Sequence, residues 1–153
     1  MIEDNATFTT LINVGRALTY GNESFASYAV NDQLKLRADY TYTIAQDLDT
    51  DTELERRPQN KATLQAGWTP TDKLHLSATA LFVGAWHDIN AETFAPQNAP
   101  AYGTLNLAVN YDVTPLINAF ARIDNLMDRQ YEDPLGFLHP GIGVYAGVRV
   151  TSF

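Results

Sequence analysis

The sequence predicts an all-β chain that forms an antiparallel transmembrane β-barrel. Apolar and polar residues alternate in segment after segment of the 153 residues, and strictly from Gly143 to Val150. This is the pattern of strands whose two faces meet different surroundings. Short and long connections follow one another between these segments, as they do in membrane barrels. No segment has a helical period, and no apolar run approaches the roughly 20 residues that a membrane-spanning helix needs.

The first alternating stretch decides the predicted number of strands. From Phe8 to Val30 the apolar residues stay mainly on even-numbered positions. The stretch is therefore either one long strand, which gives seven strands in all, or a hairpin, which gives eight. Turns are possible at Gly15-Arg16-Ala17 or at Tyr20-Gly21-Asn22-Glu23, since Gly-Asn favours a two-residue turn. Eight strands can close, whereas seven would leave unpaired edges in lipid. We therefore predict eight, with seven strands as an open part of a larger barrel as the alternative.

The remaining strands follow from the same alternation. They are predicted at residues 34–44, 61–68, 74–86, 104–113, 117–124 and 143–150. Most reach about ten residues, the length that crosses a bilayer when a strand is tilted. Tight turns are predicted at residues 30–34, 69–73 and 112–115, where Asn, Asp and Pro occur. Long polar loops are predicted over residues 45–60, 87–101 and 127–143.

Aromatic residues on the apolar parity favour lipid over a soluble core. Near the short turns they are Tyr28, Trp68 and Tyr111, and at the long-loop ends they are Tyr42, Phe82 and Trp86. Leu, Ala and Val occupy the positions between. Two aromatic girdles around an aliphatic band are typical of membrane barrels, so membrane lipid or detergent is the expected partner.

The opposite parity is polar. In a closed small barrel it would fill the lumen with paired charges, because unpaired buried charges are costly. The predicted lumen network is Glu23, Lys35, Arg37, Asp39, Arg122, Asp124 and Arg149. A passive pore is one alternative function, although Phe25, Leu81, Val83 and Phe120 also point inward on this parity. A soluble lipocalin-like binding barrel, with the apolar face turned inward, is the other.

Composition excludes several classes of protein. The formal net charge of −8 argues against nucleic acid as a partner, which needs a basic face. The chain has no cysteine, so a disulfide or a thiolate metal site is impossible. Residues 1–5 have neither a basic nor an apolar leader segment, so we expect no signal peptide in this chain. By length, residues 1–153 are expected to form a single β-barrel domain.

The sequence predicts no cofactor and no enzymatic activity. The acidic loop is a weak calcium candidate, because it places carboxylates at Asp47, Asp49, Asp51 and Glu53. It lacks the Gly and Glu of an EF-hand loop, so a solvated acidic loop is the simpler interpretation. His75, His87 and His139 have no metal-ligand spacing, and no nucleophile motif is present.

Several motifs resemble the C-terminal part of a TonB-dependent outer-membrane receptor. The run NLMDRQY at residues 125–131 resembles the NLFDxxY segment of that family, and RRPQNKA at 56–62 resembles RRPxHKA. NVGRA at 13–17, followed by GNE at 21–23, resembles NVGKAxxxGVE. The terminal strand resembles the signal read by the barrel-assembly machinery, carried here by Val144, Ala146, Val148, Val150 and Phe153.

This resemblance implies the bacterial outer membrane and a barrel of about 22 strands, of which this chain matches the last third. It implies the barrel-assembly machinery as a partner if the chain is exported. The plug and the TonB-contacting segment of the family are not matched, so contact with TonB and active transport are not expected. The expected role is structural, within a family that takes up cobalamin or siderophores.

Overall fold

The structure is a computed structural model that describes residues 2–4, 11–13, 15–90 and 93–152. Within these ranges the chain forms strands and turns, and no helix is long and apolar enough to cross a membrane. In chain order the strands are β1 (Ile2–Asp4), β2 (Leu11–Asn13), β3 (Ala17–Ala29), β4 (Leu34–Asp47), β5 (Thr52–Glu53), β6 (Asn60–Thr71), β7 (Leu74–Val83), β8 (Trp86–Ile89), β9 (Pro96–Ala99), β10 (Tyr102–Thr114), β11 (Ile117–Asp124) and β12 (Gly143–Val150).

The long strands form one antiparallel sheet in which each pairs with the long strands that precede and follow it along the chain. The order is β3-β4-β6-β7-β10-β11-β12, and the short β5 lies beside the end of β4. The predicted all-β antiparallel fold is therefore confirmed, and its seven long strands agree with the strand count of the alternative. The predicted closure into an eight-stranded barrel is wrong. In the described part of the chain β3 and β12 each have a strand on one side only, so the sheet is open.

The predicted hairpin inside the first long strand is also wrong. β3 passes through Gly21 without interruption, and all 13 of its residues pair with β4. Glycine is required at position 21 because a Cβ there would overlap the carbonyl oxygen of Tyr42. At residues 15–17 the chain bends at Gly15 and Arg16 but forms no hairpin, because β2 pairs with β1 and not with β3. The N–H of Leu48 donates to the carbonyl of Arg16 and extends the pairing of β3 with β4. Gly-Asn therefore marks a close strand contact.

Three short turns connect the long strands at one end of the sheet. In each, a side-chain oxygen accepts the backbone N–H three residues later, at Asn31 (2.8 Å), Thr71 (3.2 Å) and Thr114 (3.1 Å). Such local bonds are the reason that Asn and Thr favour turns. The long connections lie at the opposite end, which confirms the predicted alternation of short turns and long loops.

The strand register keeps the apolar residues of successive strands on one face. Leu64 pairs with Ala38 on one side and with Ala80 on the other, and Ala80 pairs with Leu105. Because side chains alternate along each strand, the polar parity occupies the opposite face. The two faces predicted from the sequence are thus present on a single open sheet.

Tight packing is concentrated at the long-loop end. The cluster of buried apolar residues there consists of Val83, Trp86, Ala99, Tyr102 and Leu135, with Leu81 and Tyr131 packed against it. We call this set the loop core. It joins the second and third long loops to the ends of β7 and β10.

Candidate functional site

The apolar face is uncovered in this chain. Of the predicted girdle residues, Tyr28, Trp68, Tyr111 and Phe82 have exposed side chains, and Tyr42 is half-buried. An apolar depression of about 680 Å³ crosses the same face, with Ala66, Ala78 and Leu107 among its walls. A contiguous apolar surface of this kind needs a covering that the described residues do not provide.

Trp86 does not belong to this face, so its predicted place in the girdle is wrong. Its side chain is only 5% exposed, and its ring meets that of Tyr102 edge to face with centroids 6.1 Å apart. The cause is the break at Gly84 and Ala85 between β7 and β8, which ends the alternation that the prediction extended to residue 86. Trp86 is instead part of the loop core.

The polar face carries two similar arginine clusters. Arg37 donates to Asp39 through Nε at 2.8 Å, and its guanidinium lies 4.8 Å from the centroid of the Phe25 ring. Arg122 lies 3.5 Å from Asp124 and 4.5 Å from the ring centroid of Tyr145. Each arginine is thus held by a carboxylate on its own strand and by a ring on a neighbouring strand.

The other predicted members of the lumen network are not joined to these clusters. Among the described residues Glu23, Lys35 and Arg149 make no ion pair within 4.0 Å. Since the sheet is open, the charges lie along one exposed face, and the predicted filled lumen of a small barrel is wrong.

The carboxylates of the acidic loop are not brought together. Asp47 accepts the N–H of Asp49 at 2.8 Å, Asp49 pairs with Arg16 at 2.8 Å, and Glu53 accepts from Gln59 at 2.7 Å, while Asp51 lies in a turn with φ 54°. Within the described residues, no group of three His, Cys, Asp or Glu side chains could hold a metal ion.

Asp88 joins the three long loops and was not identified from the sequence. Its carboxylate is fully buried and accepts from Arg56 Nε at 2.9 Å, Ile89 N at 2.8 Å and Leu135 N at 3.0 Å. Trp86 Nε1 lies 3.4 Å away. Burial alone would raise the pKa of this carboxyl, but the hydrogen bonds from Leu135, Arg56 and Ile89 outweigh it and lower the pKa.

A column of three rings rises from the loop core. Tyr131 stacks on Tyr102 with centroids 4.0 Å apart, and His139 stacks on Tyr131 at 4.7 Å, both nearly parallel. The Tyr102 hydroxyl donates to Asp133 Oδ2 at 2.8 Å. Burial and the neighbouring Asp133 carboxylate raise the pKa of both tyrosines, so their rings stay neutral at physiological pH.

Asn125 gives the NLMDRQY motif a structural role. It is buried, with φ 51°, and its backbone N–H donates to Asn106 Oδ1 at 2.8 Å. Its side chain accepts from Arg129 N at 2.9 Å and donates to the carbonyls of Arg129 and Pro140. Asparagine tolerates this left-handed conformation better than most residues, so one side chain can fix both arms of the last long loop.

A cavity of about 470 Å³ lies between this loop and the polar face of the sheet. Residues from four strands and the loop line it, among them Asn106, Asp124, Tyr131, His139 and Tyr145. Acidic residues outnumber basic ones in each of the three long loops. The cavity therefore has polar and aromatic walls, and the long loops around it carry an excess of acidic residues. We call it the loop cavity.

Replacing Tyr102 by phenylalanine should loosen the last long loop. The substitution keeps the stacked ring but removes the hydrogen bond to Asp133, which costs about 1 kcal/mol because Asp133 is exposed enough to be hydrated. Hydrogen exchange of residues 131–139 should become faster. Tyr40→Phe, which removes a 2.6 Å bond to Asn60 on the open sheet, should leave that loop unchanged; equal effects of the two variants would contradict the assignment.

The lowered pKa of Asp88 predicts a loss of loop contacts in acid. A group whose folded pKa lies below its unfolded value stabilises the folded state above the unfolded value, and this contribution is lost as the pH falls through the folded value. The loop core should therefore stay intact down to about pH 4 and open below it. Trp86 fluorescence followed from pH 7 to pH 2 measures this, and a transition centred above pH 5 would contradict it.

Comparison with known proteins adds family relationships to this geometry. Residues 1–126 match the family model described as TonB dependent receptor-like, beta-barrel. An iron-regulated outer membrane virulence protein of Vibrio cholerae is 25% identical to the chain, over 95% of this chain and 23% of that protein.

Solved structures share the fold. The ferripyoverdine receptor of the outer membrane of Pseudomonas aeruginosa aligns with a TM-score of 0.74 at 20% identity, over 98% of this chain and 23% of that one. The ferric enterobactin receptor of the same organism aligns with a TM-score of 0.76 at 20% identity, over 90% and 23%. The chain thus spans less than a quarter of the length of these relatives.

Proposed function

This chain belongs to the TonB-dependent receptor-like β-barrel family, and from that premise we propose that it supplies seven consecutive strands of a receptor wall in the bacterial outer membrane. The observation that carries the proposal is the uninterrupted apolar face of an open sheet, from β3 to β12. Neither edge of that sheet would be stable in hydrocarbon alone, so the wall is continued by further strands in the membrane.

Lipid is the proposed covering of the apolar face. Tyr28, Trp68 and Tyr111 would lie at the interface near the short turns, and Tyr42 and Phe82 at the interface near the long loops. These five side chains flank a band of Leu, Ala and Val, and amphipathic rings are favoured at the headgroup level. The long loops would then lie outside the cell, as in outer-membrane barrels.

The polar face is proposed to line the interior of the larger barrel. Its charges include the Arg37–Asp39 and Arg122–Asp124 pairs, which a water-containing or protein-filled interior tolerates and hydrocarbon does not. Glu23, Lys35 and Arg149 would share that interior. The proposed role of these residues includes neither catalysis nor an energy-coupling step.

The proposed cargo of the receptor is a metal chelate that enters from the long-loop end. The names of its relatives support this class, since they are receptors for ferripyoverdine and ferric enterobactin and an iron-regulated outer membrane protein. The terminal strand is proposed as the recognition element of the barrel-assembly machinery. Val144, Ala146, Val148 and Val150 lie on one face of β12, and Phe153 lies outside the described residues.

Refolding in detergent micelles tests the proposed wall. An open section of a larger wall should show no heat-sensitive shift of the monomer on cold and boiled SDS gels, and it should aggregate when detergent is removed. A clear shift would instead indicate a closed small barrel, which could act as a passive pore. Solubility without any detergent would overturn the membrane assignment in favour of a lipocalin-like barrel.

A further inference from the structure

We propose that the loop core contains a one-electron redox site, in which a radical oxidant at the long-loop end takes an electron from Tyr131 and the electron vacancy moves inward to rest on Tyr102. Asp133 accepts the proton that Tyr102 releases. This activity goes beyond the function proposed above and does not rest on it. Three observations carry it: a continuous contact between aromatic rings, a carboxylate bonded to one phenol, and the burial of that phenol.

The aromatic rings form a continuous path from the buried core to the surface. Tyr102 meets the ring of Trp86 edge to face with centroids 6.1 Å apart, and it stacks on Tyr131 at 4.0 Å. Tyr131 is half-buried, and His139, which stacks on it at 4.7 Å, is exposed. Because the rate of electron transfer falls exponentially with distance, rings in contact exchange an electron far faster than separated ones. The path therefore connects the buried rings with an oxidant in solution.

Two kinds of ring in this path lose an electron readily, the phenol of tyrosine and the indole of tryptophan. The chain has no cysteine, so no thiol competes for the vacancy. Imidazole is much harder to oxidise than phenol, so His139 covers Tyr131 without taking part in the transfer. The vacancy can therefore rest on Trp86 or on a tyrosine, and the available proton acceptors decide between them.

Tyr102 has the better proton acceptor. Its hydroxyl donates to Asp133 Oδ2 at 2.8 Å, and Asp133 is exposed, so this carboxylate is free to take up a proton. Loss of one electron turns a phenol into a strong acid, and the proton crosses the hydrogen bond as the electron leaves. The carboxylate near Trp86 Nε1 is Asp88, a poorer base because its three N–H donors lower its pKa. The vacancy therefore rests on Tyr102.

One electron and one proton move in this step. The O–H bond of Tyr102 breaks, and its proton forms a bond to Asp133 Oδ2. The electron passes through Tyr131 to a radical oxidant such as the hydroxyl or the carbonate radical, which becomes an anion, while Tyr102 becomes a neutral radical. A one-electron reductant such as ascorbate reverses the step through Tyr131, and the proton returns from Asp133.

Burial protects the Tyr102 radical from side reactions. Tyr102 is 6% exposed and belongs to the same apolar cluster as Val83, Ala99 and Leu135. Radicals on exposed tyrosines couple in pairs, whereas a ring inside this cluster cannot meet a ring of another molecule. We therefore expect the Tyr102 radical to outlive radicals on the exposed tyrosines of the sheet.

Flash photolysis with freeze-quench EPR spectroscopy tests the proposal on the full chain in detergent micelles. The oxidant is tris(bipyridine)ruthenium(III), generated by the flash in the presence of an electron acceptor. A long-lived neutral tyrosyl signal should form, and Tyr102→Phe, which keeps the ring, should lose it. Tyr40→Phe, which removes an exposed phenol bonded to Asn60 at 2.6 Å, should keep it. Survival of the long-lived signal in Tyr102→Phe, or a tryptophanyl signal in the parent chain, would overturn the proposal.

A variant of the proton acceptor separates redox chemistry from loop structure. Asp133→Asn keeps an oxygen that accepts the hydrogen bond but removes the base. Formation of the Tyr102 radical should therefore slow about 10²-fold, the lower end of what a general base contributes. In the parent chain the same step should slow in heavy water, because a proton moves with the electron. An unchanged rate in Asp133→Asn, or no effect of heavy water, would overturn the assigned proton transfer.

A hybrid protein keeps the test decisive if the isolated chain does not fold. The same 153 residues replace the corresponding section of the ferric enterobactin receptor, and the variants are compared in that hybrid. Any long-lived signal lost on Tyr102→Phe belongs to Tyr102, whatever the other tyrosines contribute. A folded hybrid that shows no such loss would overturn the redox site. Transport is not measured, so this result would leave the proposed uptake role unaffected.

Discussion

Replacement of Asp88 by alanine should detach the long loops from one another. The variant leaves the N–H groups of Ile89 and Leu135 without their acceptor and removes the partner of Arg56. Arg56 is half exposed and can be hydrated, whereas Leu135 is 4% exposed and its N–H cannot. We expect a loss of about 1–3 kcal/mol in the stability of the loop core, the range for leaving a buried N–H without an acceptor.

Hydrogen exchange in micelles measures this loss of stability. A second variant, which also removes one carboxylate charge, serves as the control. Asp49→Asn removes one carboxylate charge from an exposed pair with Arg16, where such pairs contribute about 1 kcal/mol or less. Protection should fall over residues 84–101 and 125–142 in Asp88→Ala and remain in Asp49→Asn. If protection of those two loops survived in Asp88→Ala, Asp88 would not be what joins them.

An arginine introduced at Ala78 should destabilise the protein in a bilayer. Ala78 lies in the middle of β7 on the apolar face, paired with Ala66 and Leu107. A cationic side chain facing lipid near the membrane midplane costs roughly 2–4 kcal/mol. Urea unfolding in lipid vesicles should therefore shift to lower urea, and less of the variant should insert.

The next residue supplies the control. Thr79 lies on the polar face of the same strand, between Gln65 and Asn106 in the sheet. Thr79→Arg should cost much less than Ala78→Arg, because its side chain meets water or polar groups. A reversal of the two results would mean that the apolar face points inward, as in a soluble binding barrel.

Most of the sheet could be predicted from the sequence because its pattern is local. Side chains alternate with a period of two, so the residues of each strand by themselves predict its apolar and its polar face. The same rule failed where a nonlocal contact decides the structure. Gly21 is a residue typical of turns, yet here it allows the backbone of Tyr42 to approach closely. Trp86 falls on the apolar positions of the preceding strand, but a break in that strand, which the periodicity does not reveal, separates the two.

The loop site was largely beyond sequence reasoning. Arg56, Asp88 and Leu135 come from three separate loops, and no spacing or motif connects them. The stacked column was equally hidden, because Tyr102 and His139 meet only through Tyr131. Asn125 is the exception, since the NLMDRQY motif singled out the residue that anchors the last loop.

The order of the sheet also bears on how the chain folds. Every pair of long strands joins segments that follow one another along the chain, so the contact order of the sheet is low and little loop-closure entropy is lost at each step. The contact between Asp88 and Leu135 spans 47 residues, so it closes a longer loop than any hairpin of the sheet does. We therefore expect pairing to proceed hairpin by hairpin, with docking of the loop core as the last and slowest event.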